Sequence, residues 1–151
     1  MIEQVPDEQL TASSNYGNQE ALSPVRSRFD AVHEDNYQGG WEAHFVDMDQ
    51  WIQVEFLGVK TVYKVATKGR HHLRQPSTWV TKYQLKYGLT STEADFEYVR
   101  SSTGRITTFV GNADQNSVVE NEFAMVFARV IRLCPIEWQS RIALRWELYG
   151  C

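Results

Sequence analysis

Three polar stretches hold most of the side chains in this chain that could do chemistry. Residues 13–24 offer Asn15, Tyr16, Asn18 and Glu20; residues 32–41 offer Asp35, Asn36, Tyr37 and Trp41; residues 69–77 offer Arg70, His71, His72 and Arg74. Amide, carboxylate, imidazole and guanidinium groups beside an aromatic ring are what a pyranose requires. Each sugar hydroxyl both donates and accepts, and the apolar C–H face stacks on a ring. The same mixture suits a protein partner, because Tyr, Trp and Arg dominate interface hot spots. It suits an anionic membrane less well. A lipid-binding tip needs bulky apolar residues supported by bases. The first stretch has only Ala21 and Leu22, while Glu20, Glu34 and Asp35 would face the headgroups.

No nucleophile–base signature, phosphate-cradling loop or His-x-x-x-His spacing accompanies these residues. His71 and His72 are adjacent, and adjacent side chains on an extended segment point apart, which argues against a two-ligand metal site. Binding without a cofactor, rather than turnover, is the expectation. Among the five tryptophans, Trp41 borders the second stretch and is a candidate platform, whereas Trp51, Trp79, Trp138 and Trp146 sit in or beside apolar runs and read as core.

The elements that must position these stretches read as strands. Residues 142–149 alternate strictly: Ile142, Leu144, Trp146 and Leu148 share one face, while Ala143, Arg145, Glu147 and Tyr149 share the other. Residues 128–134 form a β-branched run that Pro135 is expected to stop, since proline cannot donate to a ladder. Arg129 or Arg132, Arg145 and Glu147 could pair across these two strands. Upstream, residues 51–57 alternate up to Gly58, residues 61–67 up to Gly69 and residues 79–87 up to Gly88, with shorter candidates at 96–99, 107–110 and 118–119. Short strands separated by turn residues indicate an antiparallel sandwich or barrel. The three polar stretches are then its long loops, and loops of that length in a small domain tend to carry function.

At 151 residues, with 42% hydrophobic and 13% aromatic content, one domain over 1–151 is expected. No run approaches the 18 or more apolar residues of a membrane helix. The acidic start of the sequence lacks the apolar segment of a signal peptide. A net charge of −4 argues against nucleic acid as a partner. Of the two cysteines, Cys134 reads as a small buried hydrophobe and Cys151 ends the sequence; spacing alone leaves a bridge between them open.

Several short motifs, in order along the chain, resemble the discoidin family, the C-type domains of coagulation factors. They are Asp7–Ser14 as an opening strand, Arg28-Phe29, Trp41, Gln50-Trp51-Ile52-Gln53-Val54-Glu55, Ala66-Thr67-Lys68-Gly69-Arg70, Trp79-Val80-Thr81-Lys82-Tyr83, Phe109-x-Gly111-Asn112-x-Asp114, Asn121-x-Phe123, and the closing run from Arg129 through Pro135 and Trp138 to Cys151. The resemblance implies an all-β, eight-stranded antiparallel jelly-roll sandwich with three ligand-binding spike loops at one end. Those spikes fall on the same three stretches. It also implies a non-enzymatic extracellular or cell-surface module, a lectin-like domain of galactose or N-acetylgalactosamine type in cell adhesion. A protein or matrix ligand and phosphatidylserine are the alternatives, and the oligomeric state is open. Some sugar-binding members of the family hold a structural calcium ion near the second loop, to which Asp35 and Glu147 could contribute. The family's cysteine before the opening strand, bridged to the position of Cys151, falls in or before Met1-Ile2-Glu3, where no cysteine stands: either the domain is trimmed or this branch does without the bridge.

Overall fold

Alternating apolar positions become eight strands: β1 (Leu10–Ala12), β2 (Trp41–Glu42), β3 (Ile52–Lys68), β4 (Trp79–Gly88), β5 (Glu97–Tyr98), β6 (Phe109–Val110), β7 (Val119–Gln139) and β8 (Ala143–Gly150). The computed structural model describes residues 1–74 and 78–151; Gln75, Pro76 and Ser77, which end the third predicted loop, lie outside the described residues. Helical structure among the described residues is limited to 3₁₀ turns of three or four residues. The strands pair antiparallel in the order β2-β8-β3-β7-β4-β5, with β1 also on β3 and β6 also on β4.

Two long strands make this ladder into two layers. The first part of β3 (Ile52 to Glu55) pairs with Leu133 to Val130 of β7, in a layer shared with β1 and β4. The second part (Lys60 to Thr67) pairs with Ala128 to Val119, in a layer shared with β8 and β2. The register breaks between Glu55 and Lys60, and there both strands cross from one layer to the other. A bulge bends a strand without ending it. Gly58 therefore sits inside β3 at the corner and does not separate two strands as its position suggested. Pro135 likewise lies within β7, opposite Tyr83, at a register shift next to Lys82. The irregularity accommodates the missing donor, so the expected stop at Pro135 does not occur. The opening strand is shorter than the predicted 7–14, because residues 7–9 form a 3₁₀ turn.

The core fills the space between the layers. Ile52, Val54, Phe56, Val62, Val65, Tyr83, Leu85, Ile131 and Leu133 are buried there. The alternation of β8 places Leu144, Trp146 and Leu148, with Ile142 just before the strand, in this core with no exposed surface. Trp51, Trp79 and Trp138 are only half-buried. The opposite face of β8 is also covered, which alternation alone could not show. Arg145 is buried beneath three loop segments, donating to Gly69 O (2.8 Å), Ala31 O (3.1 Å), Gln115 O (2.7 Å) and Asn116 Oδ1 (3.0 Å). Glu147 accepts the amides of Ile2, Glu3 and Leu148. Neither residue pairs across the ladder. Arg129 pairs with Glu55 and Arg132 with Glu93. Cys134 and Cys151 are both free thiols.

Candidate ligand site at the loop end

The loops follow from where the strands stop. β1 ends beside Ile52, β2 lies against Leu144 and Ala143, β3 ends opposite Arg145, and β4 begins opposite Gln139. The three predicted loops therefore emerge at one end, joined by the connection 43–51 and the turn at 140–142. Direct bonds tie them together. Gln38 N donates to Ala21 O at 3.0 Å, and Gly39 and His71 exchange backbone hydrogen bonds at 3.2 and 2.8 Å. A Cβ on Gly39 would lie 2.6 Å from both the Cβ and the carbonyl oxygen of His71, so only glycine permits this approach.

A cavity of about 370 Å³ opens between the second and third loops, lined by His33, Glu34, Asp35, His72, Leu73 and Arg74. Glu34 and Tyr37 close a tight turn through two backbone bonds, leaving Asp35 and Asn36 exposed at its tip. The His33 and His72 rings stack with centroids 4.4 Å apart. Leu73 N donates to His33 Nδ1 at 3.3 Å, and His33 N donates to His71 Nδ1 at 2.9 Å. Burial, then the guanidinium of Arg145 and the neighbouring His33, hold the His71 imidazole below its ordinary pKa. The His72 imidazole is lowered likewise, by burial first and then by His33, Arg70, Arg74 and His71. Both rings thus favour the neutral form, which donates at one nitrogen and accepts at the other.

The remaining predicted residues lie outside the lining of this cavity. Tyr37 is exposed and lies 5.1 Å from the Arg26 guanidinium. Tyr16 is exposed beside a separate cluster, 4.7 Å from the guanidinium of Arg141 and near His44. Asn15 donates to Gln19 O at 2.9 Å, capping a turn in which Gly17 and Asn18 take positive φ. Asn18 and Glu20 are exposed on that first loop.

Four residues hold other positions than the sequence suggested. Trp41 is fully buried, its Nε1 donating to Ser14 O at 2.9 Å, so it supports the first loop from inside and is not a ligand platform. Leu22, the apolar member of the first loop, is buried and cannot reach a membrane. Arg70 lies under the loops, its Nη1 on Glu42 Oε1 at 2.9 Å, while Arg141 Nε takes the other oxygen at 3.1 Å. Glu147 holds the amides of the first residues, so it does not join Asp35 in a calcium site. Among the described residues, no cluster of three or more His, Cys, Asp or Glu is arranged to hold a metal ion.

Sequence reasoning overlooked His33, Arg141 and the connection 43–51. His33 lies within a loop that was singled out, and its approach to His71 depends on Gly39, a pairing that spacing does not show. The connection exposes Phe45, Val46 and Met48. Phe45-Val46 beside Asp47 was the available signal: two bulky apolar residues in a polar segment too short to bury them.

A two-layer β-sandwich that brings three polar loops to one end around a cavity is a scaffold able to carry a ligand site. The F5/8 type C domain model matches residues 9–148, and the chain belongs to that family, the discoidin domains. Retinoschisin of Takifugu rubripes is 38% identical over 120 residues, covering 77% of this chain and 41% of its own. Lactadherin of Rattus norvegicus is 32% identical over 97% of this chain and 34% of its own. The chain thus spans half or less of the length of these curated relatives. The solved structure of wild-type discoidin II from Dictyostelium discoideum superposes with a TM-score of 0.79 at 26% identity, over 93% of this chain and 53% of that one.

Proposed function

We propose that this domain is a non-enzymatic, extracellular carbohydrate-binding module of cell adhesion, taking a sugar of galactose or N-acetylgalactosamine type at the loop end. One observation carries the reading: the cavity of about 370 Å³ gathers two carboxylates and a guanidinium around a stacked pair of imidazoles, which supply both the ring surface and further polar groups. Convergent polar groups beside a flat ring surface suit a pyranose, whose hydroxyls need partners of both polarities. A glycan array run with and without chelator tests it. Binding of galactose-type glycans that Arg74→Ala removes supports the reading; an array without hits overturns it.

A second reading has its own observation. Phe45, Val46 and Met48 are exposed on the connection, and Phe45 lies edge-on to His44, whose carbonyl accepts from Arg141, so the apolar segment has one base close by. Asp47 and Asp49 flank it and oppose anionic headgroups, which places lipid after sugar. Pelleting with phosphatidylserine liposomes, lost in Phe45→Ser, would favour the membrane. A protein or matrix ligand is the remaining alternative, and binding to neither glycan nor liposome would point to it.

A further inference from the structure

All four histidines of the chain lie at the loop end, and each accepts a backbone amide on Nδ1. Gly17 N donates to His44 at 3.1 Å, His33 N to His71 at 2.9 Å, Leu73 N to His33 at 3.3 Å and Arg74 N to His72 at 3.0 Å. An imidazole accepts on Nδ1 only when neutral, with its proton on Nε2; in the imidazolium both nitrogens are donors. Protonation of any of these rings therefore removes its bond and sets one N–H against another. His44 ties the first loop to the connection 43–51. His71 and His33 tie the second loop to the third, and His72 fixes the turn at Arg74. Three of the four bonds border the cavity.

We infer that the loop-end site is latched by its histidines and releases its ligand on acidification, the ligand's identity resting on the glycan reading above. The charges around the rings support a concerted response. His71 faces Arg145 and His33; His72 faces His33, Arg70, Arg74 and His71. His33 is flanked by Glu34 and Asp35, with His72 and Arg74 across the cavity. His44 sits beside Tyr16, and its carbonyl accepts from Arg141. Apart from these two carboxylates and Glu42, which pairs with Arg70, the field is cationic. The stacked His33 and His72 cannot both become charged without repulsion. The direction follows from linkage. A histidine held below its ordinary pKa is neutral in the folded state, while the unfolded chain takes up protons first as pH falls. The stability supplied by the His71 and His72 latches is complete above the ordinary histidine pKa, and is lost as pH falls toward their lowered values.

The test follows backbone amide exchange by NMR at about pH 7.5 and about pH 5, normalised to strand amides, alongside titration of the strongest glycan from the array. Protection of the Gly17, His33, Leu73 and Arg74 amides is expected to fall about tenfold at the lower pH, the loss of roughly one hydrogen bond each, with glycan affinity falling at least as far. In the His33→Asn/His71→Asn variant an amide oxygen replaces Nδ1 and does not titrate. There the His33 and Leu73 amides should keep their protection at both pH values, whatever the variant's affinity. His44→Asn, outside the cavity, does the same for Gly17. Undiminished protection in the parent at about pH 5, or an equal loss in the asparagine variants, overturns the latch. Protection that falls in the parent alone, with no array glycan bound at neutral pH, upholds the latch and rejects the sugar.

Discussion

Arg70 and Arg74 stand four positions apart in one loop, yet their surroundings give them different roles. Arg70 is largely buried and shares Glu42 with Arg141, and the Glu42 side chain is only 4% exposed. Removing one partner from a buried ion cluster leaves charge uncompensated, at a cost of about 3–5 kcal/mol. Arg70→Ala is therefore expected to lower the denaturant midpoint clearly, although the sequence made this arginine a candidate ligand group. Arg74 is exposed at the rim of the cavity. Arg74→Ala should leave the midpoint alone and weaken sugar binding by about 1.5–3 kcal/mol, one charged hydrogen bond. Paired denaturant and glycan titrations decide the matter. An Arg70→Ala protein with parental stability and no sugar binding would make that guanidinium a ligand group. Trp146 poses the same question in the core. It is fully buried and its Nε1 donates to Ser27 Oγ, so Trp146→Ala should cost about 3–5 kcal/mol in denaturant titration. A loss under about 1 kcal/mol would mean that β8 turns its other face inward.

The strands of this domain were legible wherever one face is buried. In and just before β8, Ile142, Leu144, Trp146 and Leu148 announced a buried face, and in β3 the apolar positions Ile52, Val54 and Phe56 did so. Punctuation was less reliable. Gly58 and Pro135 look like stops, but both sit at register shifts inside long strands, because a two-layer fold needs its shared strands to bend. Arg145 and Glu147 read as charges able to pair across the ladder, for lack of any local sign of the segments that cover them. The loop joint was illegible for a related reason: the contact between Gly39 and His71 links positions far apart in sequence. It makes a prediction of its own. In Gly39→Ala the new methyl group would meet the backbone and side chain of His71 at 2.6 Å, forcing the second and third loops apart. The strands do not depend on that contact, so global stability should fall by only about 1–3 kcal/mol. Sugar binding and the exchange protection of the His71 amide should both collapse. Parental binding by Gly39→Ala would show that the two loops need not touch to form the site.

At the scale of the whole molecule, the jelly roll carries its loops without a covalent staple. A domain of this length buries roughly 70% of the surface its unfolded chain exposes, enough for a self-sufficient core. The two cysteines agree with that. Burial pushes the Cys134 thiol up to about 11, so at neutral pH it is protonated and unreactive, while Cys151 is exposed and free. Arg145 does on the loop side what a bridge would otherwise do, gathering segments near Ala31, Gly69 and Gln115 onto β8 through four hydrogen bonds. Burial draws its guanidinium down to about 10, still far above neutrality, so this clamp stays charged while the histidines titrate. Acid should then loosen the loops well before the sandwich unfolds. For the same reason the melting midpoint of this chain should be equal with and without reductant. A structural disulfide is worth roughly 2–5 kcal/mol, which in a domain of this size corresponds to a shift on the order of ten degrees. A fall of that size under reductant in a thermal melt followed by circular dichroism would mean that a bridge involving Cys134 or Cys151 holds the fold. An unchanged midpoint would leave the core and the Arg145 clamp as what keeps the loops in place.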